Sequence, residues 1–80
     1  MKSCNVHYFA LFREKANRSQ EKIQTNSRTL LELYQELSIR YGFDLESNRI
    51  KAAVNEEFVK ITSEIRNGDE VVFIPPVAGG

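Results

Sequence analysis

One amphipathic helix is the most strongly specified element of this chain, and it limits the folds that the other residues can form. Thr29 and Glu32 fit a capping box, in which a hydroxyl and a carboxylate satisfy backbone N–H groups at a helix start. Gly42 offers the left-handed conformation that commonly ends a helix. Between them, apolar residues recur at helical spacing, at Leu30, Leu33, Tyr34, Leu37 and Tyr41. A single apolar face predicts a helix that packs across a sheet.

The residues before this helix are expected to form two strands. Residues 6–12 are a nearly continuous apolar and aromatic run, which is typical of a buried central strand. Residues 21–25 alternate as a half-buried edge strand would, and residues 13–19 are polar and turn-forming. The two strands are therefore predicted to form a hairpin.

Three further strands are expected after the helix, at residues 50–54, 58–61 and 70–74. Asn55, which tolerates positive φ, lies in the first predicted turn, and the second turn spans residues 67–69. This order predicts an α+β fold of the ubiquitin-like β-grasp kind, a mixed sheet with one main helix packed on one face.

Composition excludes several kinds of function. Eighty residues allow one modest core, so a deep substrate pocket is expected on a partner protein. Eleven basic and eleven acidic residues argue against nucleic acid or an anionic membrane as the partner. The charges are unevenly placed, since residues 1–28 hold six basic against two acidic side chains.

The lone Cys4 permits no intrachain disulfide and no cysteine-based metal cluster, which suits a reducing compartment. No apolar stretch approaches the roughly 20 residues that span a bilayer. We therefore expect a cytoplasmic protein with no metal site and no membrane contact. His7 is expected to be structural, because it has no second ligand at metal-binding spacing, and Cys4 to be inert.

The C-terminal residues carry the most informative chemistry. The prolines Pro75 and Pro76 lack an N–H group, so the last strand must end at Ile74. We expect residues 1–74 to form the domain and residues 75–80 to form a flexible tail. Gly79 and Gly80 have no Cβ, so the terminal carboxylate is able to enter a narrow channel.

A free carboxylate is a poor electrophile, and its chemical use requires activation, most simply as an acyl-adenylate formed with ATP. Attack by a sulfur donor would leave a thiocarboxylate on Gly80, a soft nucleophile that could pass its sulfur to an electrophilic carbon. The chain would then act as a tethered cosubstrate, with proximity supplied by docking.

Residues 8–14, 53–55 and 68–80 resemble the small subunit of molybdopterin synthase, the MoaD family. A terminal Gly-Gly alone is a weak motif, whereas Gly-Asp-Glu-Val followed by Pro-Pro-Val-x-Gly-Gly at the terminus is much more specific. Residues 15–49 carry only the general pattern.

The resemblance implies a sulfur carrier in molybdenum cofactor biosynthesis. An E1-like adenylating enzyme would use ATP to activate Gly80, and a sulfurtransferase would supply the sulfur. The large subunit of molybdopterin synthase would hold the acceptor, cyclic pyranopterin monophosphate, in a heterotetramer. The chain itself would bind no cofactor, and the catalytic pocket would belong to the large subunit.

The resemblance also implies partner-binding residues. The tail residues Pro75, Pro76, Val77, Ala78 and Gly79 would lie in the partner's channel. Sheet positions equivalent to Phe58 and Ile74 contact partners in that family, although burial of either residue in the core is an open alternative.

Other functions are compatible with a β-grasp domain that ends in Gly-Gly. A thiamine-thiazole sulfur carrier shares both features, but the Pro75-Pro76 pair favours the molybdopterin pathway. A ubiquitin-like protein modifier would join Gly80 to lysine side chains. A plain interaction module would not need its terminal glycines.

Overall fold

Residues 1–76 form a five-stranded sheet, and one long helix packs across one of its faces. A computed structural model describes residues 1–76. In chain order the elements are β1 Lys2–Tyr8, α1 Ala10–Ala16, β2 Gln20–Thr25, α2 Leu30–Tyr41, a 3₁₀ turn Ser47–Arg49, β3 Lys51–Val54, β4 Glu57–Val59 and β5 Glu70–Ile74. The strand order is β2-β1-β5-β3-β4, in which only β1 and β5 pair in parallel. The predicted mixed sheet with a single main helix is confirmed.

The helix α2 forms with the predicted caps. Thr29 Oγ1 accepts a hydrogen bond from the backbone N–H of Glu32 at 3.2 Å, and Glu32 Oε1 accepts one from Arg28 N at 3.0 Å. Gly42 ends the helix with φ at 74°. The predicted apolar stripe faces the sheet, where Leu30, Leu33, Tyr34 and Leu37 are buried. These are local signals, and they place α2 correctly.

The prediction of a strand over residues 6–12 is wrong in its second half. The strand β1 ends at Tyr8, and Phe12 lies in α1, which replaces the predicted turn between β1 and β2. Phe12 and Ala16 are buried one helical turn apart while the residues between them are exposed, so this segment has a helical period. The two strands still pair antiparallel, with β1 inside the sheet and β2 at its edge, as predicted.

The core lies between α2 and the covered face of the sheet. Val6 and Tyr8 of β1 and Val71 and Phe73 of β5 face the helix and are at most 2% exposed. Phe12 completes this core from α1. Alternate residues of a strand point to opposite faces, so the residues between these four lie on the other face.

The turn between β3 and β4 is fixed to the start of β5. Asn55 and Glu56 both adopt positive φ, at 51° and 73°, as a two-residue hairpin turn requires, which confirms the turn and the expectation for Asn55. Asn55 Nδ2 donates to Asp69 Oδ1 at 3.1 Å, and Asn55 Oδ1 accepts from the backbone N–H of Glu70 at 3.0 Å. The turn at residues 67–69 is also confirmed, with φ of Gly68 at 89°. Two separate sequence segments thus position β5.

Candidate docking face and carrier tail

The tail begins at the middle of the sheet. β5 lies between β1 and β3, and it ends at Ile74, as predicted. Pro75 is half-buried and Pro76 is exposed. Val77, Ala78, Gly79 and Gly80 lie outside the described residues, so their expected roles stay predictions. Because β5 runs parallel to β1, the chain leaves the sheet at the end where Tyr8 lies opposite Phe73.

The face of the sheet opposite α2 has a central apolar row. Strand register places His7 beside Val72, Val72 beside Ala53 and Ala53 beside Phe58. Paired residues of neighbouring strands point to the same face, so these four side chains form one row across four strands. We call this surface the open face. Its row is apolar at three of four positions.

Phe58 lies on the open face and is 74% exposed, so the core alternative for this residue is wrong. Ile74 pairs with Lys51 and is half-buried on the same face. Ile74 therefore lies where the tail leaves the sheet, and Phe58 lies on the same face of the sheet, as the docking hypothesis requires. That either residue contacts a partner stays a prediction.

Phe9 is a second exposed aromatic residue, and sequence reasoning missed it by placing it inside a buried strand. It is 51% exposed and lies between the end of β1 and the start of α1. Its carbonyl accepts hydrogen bonds from Phe12 N at 3.0 Å and Arg13 N at 3.4 Å, which fixes its backbone. The following Ala10 has φ at 48°, an uncommon conformation for a residue with a Cβ. The sequence carries no local signal that the strand ends here.

A polar cluster adjoins the apolar row. His7 Nε2 donates to Glu70 Oε1 at 2.8 Å, and Asn5 Nδ2 donates to the same oxygen at 3.1 Å. These hydrogen bonds hold the pKa of Glu70 below its ordinary value, so the carboxylate is ionised at neutral pH. His7 therefore has a structural role, as predicted. That role is to hold the carboxylate of Glu70 at the surface.

A hollow of about 480 Å³ joins the polar cluster to the exposed aromatic ring. We call it the Glu70 hollow. It is lined by His7, Phe9, Asn55, Glu56, Glu70 and Val72. The side chains of Glu56 and Glu57 are exposed, so the tip of the β3–β4 hairpin is solvated.

The remaining titratable groups of interest lie away from the open face. Burial raises the pKa of the Cys4 thiol to about 11, and the side chain is 2% exposed, which supports the inert role predicted for it. Glu21 accepts hydrogen bonds from Tyr8 at 2.6 Å and Tyr41 at 2.5 Å. Burial raises the pKa of Glu21, but these hydroxyls and Arg18 outweigh burial and lower it overall. Cys4 and Glu21 therefore have structural roles.

Among residues 1–76, no three histidine, cysteine or acidic side chains form a group that could hold a metal ion. No helix in the same range is long and apolar enough to cross a membrane. Arg13 and Glu14 are exposed in α1 and not in the turn expected for them.

Comparison with known protein families assigns the chain to one of them. The ThiS family matches residues 6–80, which include the whole sheet from the middle of β1 and the tail. The chain belongs to the ThiS family. Its similarity to the Escherichia coli molybdopterin synthase sulfur carrier subunit is 35% identity over 78 residues, covering 94% of this chain and 96% of that protein. The resemblance to the MoaD family predicted from the tail motif is confirmed.

Solved structures share the fold of this chain. A Pyrococcus furiosus protein, provisionally described as molybdopterin converting factor subunit 1, superposes with a TM-score of 0.79 at 28% identity, covering 96% of this chain and 100% of that one. A chain of the Helicobacter pylori complex of subunits 1 and 2 of molybdopterin-converting factor superposes with a TM-score of 0.66 at 23% identity, covering 98% and 99%. The ubiquitin-like β-grasp fold is thereby confirmed.

Proposed function

We propose that this chain is the sulfur-carrier subunit of a molybdopterin synthase and carries activated sulfur on the carboxyl group of Gly80. The observation that carries this proposal is similarity to molybdopterin synthase sulfur carrier subunits over nearly the whole chain, together with a family match that extends to residue 80. The exit of the tail from a rigid central strand supports it, because β5 is hydrogen-bonded on both sides.

The chemistry begins with the terminal carboxylate. An adenylating enzyme of the E1 kind would join Gly80 to AMP and release pyrophosphate from ATP. A persulfide sulfur delivered by a sulfurtransferase would then displace AMP, and reductive cleavage of the resulting acyl disulfide by a thiol would leave the thiocarboxylate. This chain contributes the reacting carboxyl group and its presentation, and the enzymes contribute the activation.

Sulfur delivery would occur in the pocket of the large subunit. The thiocarboxylate sulfur would attack an electrophilic carbon of cyclic pyranopterin monophosphate, and water would release the carrier as a carboxylate. A dithiolene contains two sulfur atoms, so each product would consume two carrier turnovers. Pro75, Pro76, Val77, Ala78 and Gly79 would occupy the channel that leads to the acceptor.

The open face would dock on the large subunit. Phe58 and Ile74 are the predicted contacts, and Phe9 joins them because it is an exposed aromatic ring on the border of the same surface. Clustered apolar side chains that face solvent are typical of interaction sites. The Helicobacter pylori complex of subunits 1 and 2 supports a large-subunit partner, and a heterotetramer would place one carrier at each end. The lone buried thiol of Cys4 fits work in the reducing cytoplasm.

A thiamine-thiazole carrier is the second candidate, because the ThiS family match alone does not separate the two pathways. The identity to molybdopterin synthase sulfur carrier subunits favours the first candidate. The two carriers would share activation at Gly80 and would differ in the acceptor protein.

Deletion of Gly80 tests the role of the tail. The variant should fold with an unchanged melting temperature, because the last strand ends at Ile74, and it should lose ATP-dependent thiocarboxylate formation and sulfur transfer completely. Intact-mass spectrometry after incubation with the adenylating enzyme and a sulfur donor measures the first loss, and the full-length chain is the control. Full sulfur transfer by the truncated chain would refute the proposal.

A further inference from the structure

The Glu70 hollow combines a fixed carboxylate with an exposed aromatic ring. Two donors, His7 and Asn5, hold Glu70 Oε1, while Oε2 makes no hydrogen bond to any of residues 1–76. The half-exposed side chain therefore presents one free acceptor in a defined direction. A carboxylate held in this way can receive a charged donor with little loss of side-chain entropy.

In the described part of the chain, no lysine or arginine side chain fills this position. Within residues 1–76, no lysine or arginine nitrogen lies within 4 Å of a carboxylate oxygen of Glu70 or Glu56. Lys22 pairs with Asn5 on the neighbouring strand, one strand further from Glu70. It makes no ion pair with any of residues 1–76. Apart from His7, no basic side chain of residues 1–76 therefore pairs with the two carboxylates of the hollow. Residues 29–80, which include both, hold nine acidic against five basic residues.

The side chains that line the hollow favour a planar cation as its ligand. Phe9, 51% exposed, and Val72 form its apolar sides, and the exposed carboxylate of Glu56 lies on its rim. A guanidinium group suits such a site, because its planar fork pairs with a carboxylate and its face stacks on an aromatic ring. A lysine ammonium would gain the charge but not the stacking.

The hollow is continuous with the open face. Val72 lines the hollow and is also the second member of the row that ends at Phe58. A protein seated on Phe58 and Ile74 would therefore cover the hollow as well. We infer that the docking partner inserts an arginine side chain into the Glu70 hollow, where it pairs with Glu70 and stacks on Phe9.

This arginine would fix the orientation of the docked carrier. Apolar contacts at Phe58 and Ile74 are non-directional, whereas a paired charge at a second point of the face selects one rotation of the domain. Since the tail leaves from the same sheet, that rotation determines where Gly80 points. The inference rests on the proposed function, because it assigns the recognition chemistry of the same docking face.

Binding to a molybdopterin synthase large subunit, measured by calorimetry, tests the inference. Glu70→Gln keeps the size of the side chain and its ability to accept from His7, so the domain should fold normally. We expect it to weaken binding by about 30-fold, and Glu56→Gln by about 3-fold. Glu46→Gln is the matched control, because Glu46 is exposed and lines a hollow beside Tyr34 and Ser38 on the α2 side. It should bind within 2-fold of wild type.

Arginine protection gives an independent readout. The large subunit is treated with phenylglyoxal, which modifies arginine, with wild-type carrier, with Glu70→Gln or alone, and the modified sites are located by mass spectrometry. The inference expects one arginine that wild type protects and the variant does not, at concentrations that saturate both complexes. Binding by Glu70→Gln within 2-fold of wild type, or identical protection by both carriers, would overturn it. Absence of any binding by wild type would instead overturn the proposed function, and the inference with it.

Discussion

The two faces of the sheet are built from the same strands and differ in how deeply their side chains are buried. On the covered face, Val71 and Phe73 of β5 are fully buried under α2. On the open face, the alternate residues Val72 and Ile74 are only half-buried, and Phe58 of β4 is exposed. A sheet with one solvated face usually carries polar residues on that face. The apolar residues on the open face are consistent with the docking role proposed for it.

The proposed function assigns a different task to each face of the sheet. The covered face supplies the core and holds β5 in the middle of the sheet. Under the proposed function, the open face would serve recognition, and the tail continues from the strand that both faces share. Stability and docking would then be separable properties of neighbouring residues.

Truncation of one aromatic residue on each face should give the largest difference in stability between the two faces. Phe73→Ala removes a fully buried ring and should lower the free energy of unfolding by about 3–5 kcal/mol. Phe58→Ala should lower it by less than about 0.5 kcal/mol, because the ring is 74% exposed. Urea unfolding measures both variants. Equal losses would contradict the assignment of Phe58 to a free surface.

Introduction of a charge on the open face should separate docking from folding. Phe58→Lys should weaken binding to the large subunit by about 10- to 100-fold, because it replaces an apolar contact with a hydrated ammonium. Ile39→Lys is the matched control, since Ile39 is an 88% exposed residue of α2. Melting temperatures of both variants should stay near that of wild type. A large fall in the melting temperature of Phe58→Lys would show that Phe58 belongs to the core.

Low pH should reduce the stability of the fold by protonating Glu21 on the covered side of the sheet. The folded pKa of Glu21 is below its unfolded value, so its contribution is present above about pH 4.5 and is lost as pH falls through the folded pKa. Glu21→Gln should cost about 2 kcal/mol at pH 7, because two tyrosine hydroxyls lose a charged acceptor. Thermal unfolding of both proteins from pH 6 to pH 3 should show the difference shrinking. A constant difference would contradict the ionised Glu21.

A small stabilisation is expected at the rim of the open face. Glu56 has φ at 73°, which costs free energy for any residue with a Cβ, so Glu56→Gly should stabilise the fold by about 1 kcal/mol. Glu57→Gly is the control, because Glu57 is in β4, where glycine is unfavourable, and it should destabilise. Denaturant midpoints measure both. Destabilisation by Glu56→Gly would show that the Glu56 side chain contributes to the turn.

Elements with strong local signals were predictable from the sequence. The caps at Thr29 and Gly42 placed α2, and the turn at residues 67–69 with the proline pair bounded β5. The family was also predictable, because the terminal motif is contiguous in the chain.

Elements decided by distant contacts were not predictable. Nothing local separates the strand residue Tyr8 from the helical Phe12, whose ring packs on Tyr34 and Phe43 at centroid distances of 5.9 Å and 4.7 Å. The exposed Phe9 was missed for the same reason. The contact between His7 and Glu70 joins residues 63 positions apart, so the hollow that they form has no sequence signature.

Sulfur transfer from Gly80 is the central claim, and one reaction tests it directly. The chain is prepared with a C-terminal thiocarboxylate and mixed with a molybdopterin synthase large subunit and cyclic pyranopterin monophosphate. Formation of the dithiolene product, with return of the carrier to the mass of the plain carboxylate, is the predicted result. An intact thiocarboxylate and no product, where an established small subunit reacts, would contradict the account.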